Sequence, residues 1–192
     1  MTEAEVRAEI QDCGLDHLST SRVDRFANLA ARKVYNTHLW PFRLTSTSGA
    51  SPLDVSFRGP IRFVTNEDGD EVAHALREDL ERAYPDITVT SGSAEAWYLD
   101  DNRYVATFPA TAETITVRHY RLCPTSTTDI LTAIPETFHY LVVLDAVRRG
   151  KAENDELEAA AIYKADYDAE LLEMRRILFN EQVQNPRRLN DV

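Results

Sequence analysis

Cysteine is scarce in this chain of 192 residues, as are glycine and long apolar runs. Cys13 and Cys123 stand alone without CxxC spacing, so neither a disulfide framework nor a cysteine zinc site is expected, and two idle thiols suit a reducing compartment. The six glycines form no dinucleotide fingerprint and no P-loop, and GxSxG and HExxH are missing as well. No uncharged apolar stretch approaches membrane-spanning length. Glu3 and Glu5 stand where an export leader carries positive charge, so neither a membrane span nor that route of secretion is expected. Basic residues are outnumbered, 21 Lys and Arg against 32 Asp and Glu, a net charge of −11. A protein that grips nucleic acid through its phosphates needs clustered cations, which argues against a DNA-binding role for the helix-turn-helix-like run "STSRVDRFANLAARKVYN".

What is present suffices for a real core: a chain of this length buries roughly 70% of its unfolded surface and folds as one domain or one domain with an insertion. The pattern predicts an α+β fold, an antiparallel bundle of about four helices with a β-rich insertion between the second and third. The boundaries are 1–43 for the first helices, 44–124 for the insertion with one short helix, 125–180 for a helical hairpin, and 181–192 for an extended C-terminal tail. Thr2 and Glu5 form a capping-box pattern for a first helix, and Ser21 with Asp24 is read as the start of a second that Pro41 stops. Residues 44–52, rich in Ser, Thr and Gly, read as a loop. "IRFVT" (61–65), "AWYL" (96–99), "RYVATF" (103–108) and "TITVRHYRL" (114–122) read as strands, with Asp68-Gly69 turning a hairpin and a short helix over 75–85. A last helix, capped by Asn154 or Asp155, carries a seam of Leu157, Ala160, Lys164, Tyr167, Leu171, Met174 and Leu178. From Lys151 to Glu173 eight acids face Lys151 and Lys164, a net of −6 that reads as a solvated helix face, or as a surface that repels DNA or meets a basic partner.

The most apolar stretch, "AIPETFHYLVVLDAVRRG" (133–150), raises a chemical question because it holds His139 and Asp145. It reads as a helix opened at Pro135 and stopped at Gly150. Six residues of helix turn through about 600°, which leaves the two side chains about 120° apart and on different faces. His139 is therefore expected at the core's edge, bonded to a neighbouring element, and Asp145 against an Arg or a backbone donor of the β layer. "NEDGDE" (66–71) has its glycine in the wrong place for a calcium loop and reads as a turn. The five histidines fall on five expected elements with no ligand spacing, and Trp40 and Phe42 around Pro41 read as packing at the end of the bundle.

Several of these pieces together resemble the head-to-tail adaptor (connector) proteins of tailed bacteriophages. The resemblance rests on Trp40-Pro41-Phe42, on "HYRLCP" (119–124), and on Leu131, Thr132, Ile134, Pro135, Glu136, His139, Leu141, Val142 and Ala146, followed by an acidic helix with Tyr and Leu. It implies a structural virion protein without catalytic residues, metal or cofactor: a ring, of twelve copies in relatives, docked below the portal protein and offering a surface to the next neck, stopper or tail protein. Genomic DNA would pass through without specific binding, no membrane is involved, and assembly would take place in the host cytoplasm. Trp40, Pro41, Phe42, Pro135 and His139 would maintain the fold. Portal contact would fall on the tail, at Gln182, Val183, Pro186, Arg187, Arg188 and Leu189, by position alone. The competing expectation from the residues is a small metal-dependent or hydrolytic enzyme using His119 or His139 with acids of the β layer.

Overall fold

The computed structural model describes residues 1–54, 59–84, 92–110 and 113–184, with side chains as far as Phe179. Among them are six α-helices, α1 (Glu3–Asp12), α2 (Thr20–Thr37), α3 (Arg77–Ala83), α4 (Thr127–Ala133), α5 (His139–Glu153) and α6 (Leu157–Gln184). Six strands join them, β1 (Leu44–Ala50), β2 (Ile61–Thr65), β3 (Glu71–His74), β4 (Ala96–Leu99), β5 (Val105–Phe108) and β6 (Thr114–Tyr120). The chain divides into two compact units, a helical one of residues 1–42 and from 123 onward, and a sheet unit, Arg43–Leu122.

In the helical unit α5 packs against α1, α2 and α6. Leu141, Val142, Val143, Leu144, Ala146 and Val147 are all buried, the all-round apolar surface of a helix enclosed by others. The capping box of α1 is made in both directions, Thr2 Oγ1 accepting from Glu5 N–H and Glu5 from Thr2 N–H. Ser21 does not cap α2 with Asp24 as its partner: Ser21 lies inside the helix, Ser19 stands at the N-cap, and Asp24 takes Arg7 Nε at 2.6 Å instead.

The α+β class holds, but the bundle of about four helices is corrected. Among the described residues this unit has five α-helices, the unforeseen one being α4. Ser126 caps α4 by accepting from Asp129 N–H, and Ile130 and Leu131 seat it in the core. Its seven residues are too few to show a period. Pro135 does not open α5: a 3-10 turn, Glu136–Phe138, intervenes, and the helical segments on either side of the break meet at 117°. Gly150 does not stop α5 either. It lies inside the helix because Leu15 packs there, its Cδ1 only 2.4 Å from where a Cβ would stand. Asn154 closes α5 rather than capping α6. α6 then runs to Gln184, so residues 181–184 of the expected extended tail are helical. Leu157, 67% exposed, and Lys164, whose side chain is 65% exposed, leave the expected seam; Tyr163 packs against the core beside Ala160, Tyr167 and Met174.

In the sheet unit the strand order is β1-β6-β2-β3-β4-β5, antiparallel except for the parallel pair β3 and β4. The expected loop at 44–52 is largely strand: β1 pairs with β6 from Leu44↔Tyr120 to Ala50↔Thr114. A seven-residue ladder overrides the weak β-propensity of Ser and Gly. The chain enters and leaves this unit side by side, where Arg121 N–H donates to the Arg43 carbonyl at 2.8 Å and the Arg43 guanidinium to that of Arg121. Val64, Val72, Ile115 and Val117 form the centre of its core.

Candidate functional site

A cluster of three cations in the helical unit surrounds Asp145, whose side chain is wholly buried. Lys33 Nζ of α2 lies 2.7 Å from Oδ1, Arg148 Nε 2.9 Å from Oδ1, and Arg149 Nε 2.7 Å from Oδ2. Burial pushes the Asp145 carboxyl up, but hydrogen bonds from Lys33 and Arg149, with the charges of Lys33 and Arg148, outweigh it and hold the group below the ordinary carboxylate range. Lys33 also sits over the Tyr167 ring of α6, 4.0 Å from its centroid, so one ammonium ties together three helices. The donors come from α2 and from α5 itself, not from the β layer as the sequence suggested. Arg148 and Arg149 stand three and four residues beyond Asp145, the spacing that places them on its side of the helix. Lys33 carried no such signal.

His139 is buried with both ring nitrogens engaged. Nε2 lies 2.8 Å from the carbonyl oxygens of both Leu131 and Ile134, and Nδ1 3.0 Å from Met1 N. Carbonyls only accept, so Nε2 carries the hydrogen and Nδ1 serves as acceptor. The imidazole thus binds the carbonyl end of α4 to the start of α5. Trp40 is fully buried, donating from Nε1 to the Val34 carbonyl at 2.8 Å, with its ring centroid 6.1 Å from that of Phe42 and 5.9 Å from that of Phe179 on α6. Pro41 opens a 3-10 turn between these rings, and Pro135 parts α4 from α5.

The remaining histidines are divided between the two units. His119 lies in the sheet unit, Nε2 3.0 Å from Thr47 Oγ1, and burial holds its pKa below the usual imidazole value. His74 meets the Trp97 ring at a tilt of 54°, centroids 4.4 Å apart, in the same unit, and the two line a cavity of about 510 Å³ together with Pro60, Ile61, Arg62 and Arg103. His17 and His38 belong to the helical unit. No group of three or more His, Cys, Asp or Glu able to hold a metal occurs among the described residues. "NEDGDE" folds as a turn, with Asn66 Oδ1 accepting from Asp70 N–H and Gly69 at φ +87°. Of the expected portal contacts, Gln182 and Val183 fall in the last turn of α6, whereas Pro186, Arg187, Arg188 and Leu189 lie outside the described residues.

Fold and site together define an α+β protein whose buried polar groups lock helices to one another. The chain belongs to the SU10 adaptor protein family, whose sequence model matches residues 1–190. This is a phage head-tail adaptor family, so the protein is a structural adaptor and a component of the virion. No curated protein matches the chain.

Proposed function

We propose that this adaptor assembles as a ring of twelve copies below the portal protein, joining the DNA-filled head to the neck or tail. The observation that carries the reading is the family match over residues 1–190, which takes in both units. Two further features support it. The helical unit is braced around Asp145, as suits a component that carries load between two partners. The chain is strongly acidic, which favours passage of DNA without binding.

The C-terminal residues Gln182, Val183, Pro186, Arg187, Arg188 and Leu189 contact the portal in this reading, with the two arginines meeting acidic groups there. Removing residues 182–192 leaves a protein with the helical circular dichroism of the full chain that no longer co-sediments with portal rings. Truncated protein that co-sediments as the full chain does would sink the assignment of the tail. Ring particles in negative stain of the full chain, alone or mixed with portal, are expected; if neither sample contains them, the ring itself is wrong.

A further inference from the structure

Two exposed stripes on the helical unit match each other in spacing and oppose each other in charge. On α6, Ile162, Ala165, Ala169, Leu172 and Arg176 follow at alternating steps of three and four, on the side of the helix roughly opposite Ala160, Tyr167 and Met174. Ile162 is 63% and Leu172 65% exposed, and the two alanines between them are exposed as well. A helix with its packed seam on one side needs no second apolar seam in water; such a stripe marks a contact surface. Glu158 stands on it and Asp166 flanks it, neither with a cation partner among the described residues.

On α2 the outward stripe is Arg22, Arg25, Leu29, Arg32 and Asn36, again at steps of three and four, and again away from that helix's buried side at Val23, Ala27, Ala30 and Val34. Leu29, 39% exposed, is the apolar centre of a basic row. Arg25 has no carboxylate partner among the described residues, and Arg32 spends its donors on Asn28 and the Thr125 carbonyl. Apart from the half-buried Arg32, both stripes are exposed in one copy, so neither covers the other there.

We infer that the outward stripe of α2 in one copy packs against the outward stripe of α6 in the next. Leu29 seats among Ala165, Ala169 and Leu172, where the alanines let the helix backbones approach, and Arg25 turns to the acids Glu158 and Asp166. Because the two patches differ, the contact is head-to-tail, the kind that closes into a ring when the rotation per copy allows. The inference rests on the ring reading above and gives it an interface.

Three preparations of the full chain test it. In a background with Cys13 and Cys123 replaced by serine, Leu29→Cys and Ala169→Cys mark the middle of each stripe, which face each other whichever way the helices run. Treated with a short bismaleimide after ring assembly, the double variant gives a ladder of covalent oligomers, while each single variant gives none. Ile162→Asp with Leu172→Asp, and separately Arg25→Glu with Leu29→Asp, change exposed positions and keep the helical circular dichroism, yet each sediments without rings. An equal mixture of these two yields a dimer and nothing larger, because only one intact α2 and one intact α6 can meet. Wild-type rings with no ladder in the double-cysteine protein, or rings in either charge variant, would overturn the interface while leaving the ring standing. No wild-type ring, alone or on portal, overturns the ring itself.

Discussion

Asp145 shows how much can depend on one buried carboxylate with three cations around it. Replacing one side of a buried pair usually costs 3–5 kcal/mol, but Lys33, Arg148 and Arg149 are 38%, 25% and 28% exposed and can turn to water. Asp145→Asn is therefore expected to lose about 2–3 kcal/mol in urea denaturation at neutral pH. The carboxyl titrates lower in the folded than in the unfolded chain, so its stabilisation is complete above the unfolded value and disappears as pH falls through the folded one. The gap between wild type and Asp145→Asn should thus narrow below about pH 4. A gap that stays constant to acid would show that the cluster's charges contribute nothing. For this residue the sequence supplied half the answer: the spacing to Arg148 and Arg149 was readable, whereas Lys33 lies 112 positions away and only the packing of α2 on α5 brings it near.

At the scale of elements, α5 illustrates how punctuation residues mislead. Pro135 and Gly150 look like the start and stop of one helix, yet the helix begins after a 3-10 turn and continues through Gly150. The glycine serves close approach: Leu15 is fully buried and its methyl occupies the space of the missing side chain. Gly150→Ala, which would favour the helix by propensity, is expected instead to lower stability by about 1–3 kcal/mol through overpacking, read as a fall in denaturation midpoint. A stabilised variant would mean that Leu15 can move aside freely. Elements with strong local signals were legible, among them the capping box of α1, the Asn66–Asp70 turn and the alternation of β6. α4 and β1 were not, since seven residues with a modest cap, and seven rich in Ser, Thr and Gly, owe their form to partners distant in sequence.

At the scale of the whole molecule, charge is distributed rather than merely abundant. Of the eight acids from Glu153 to Glu173, Glu153 is paired with Arg22, Glu156 with Lys151, Asp168 with Lys164 and Glu173 with Arg176, which leaves the rest for other partners. If α6 meets the basic stripe of α2 in a neighbouring copy, partly exposed ion pairs contribute to assembly and salt must weaken it. Raising sodium chloride from about 0.05 M to about 0.5 M, where screening shortens to a few ångströms, is expected to lower the fraction of protein in rings measured by sedimentation velocity. Assembly that is indifferent to salt would leave the apolar stripe alone as its basis.

The amino-acid sequence by itself determined the class of the fold, because periods of 3.6 and 2 are written locally, and it separated His139 from Asp145, because helical geometry alone sets the angle between them. Tertiary structure decided the rest. Which strand pairs with which, the parallel contact of β3 with β4, the Lys33 bond to Asp145 and the hold of His139 on the end of α4 all join residues through packing. A buried charge or an orphan carbonyl has to be satisfied, but the sequence does not say by which distant group; only the folded chain brings that group within reach.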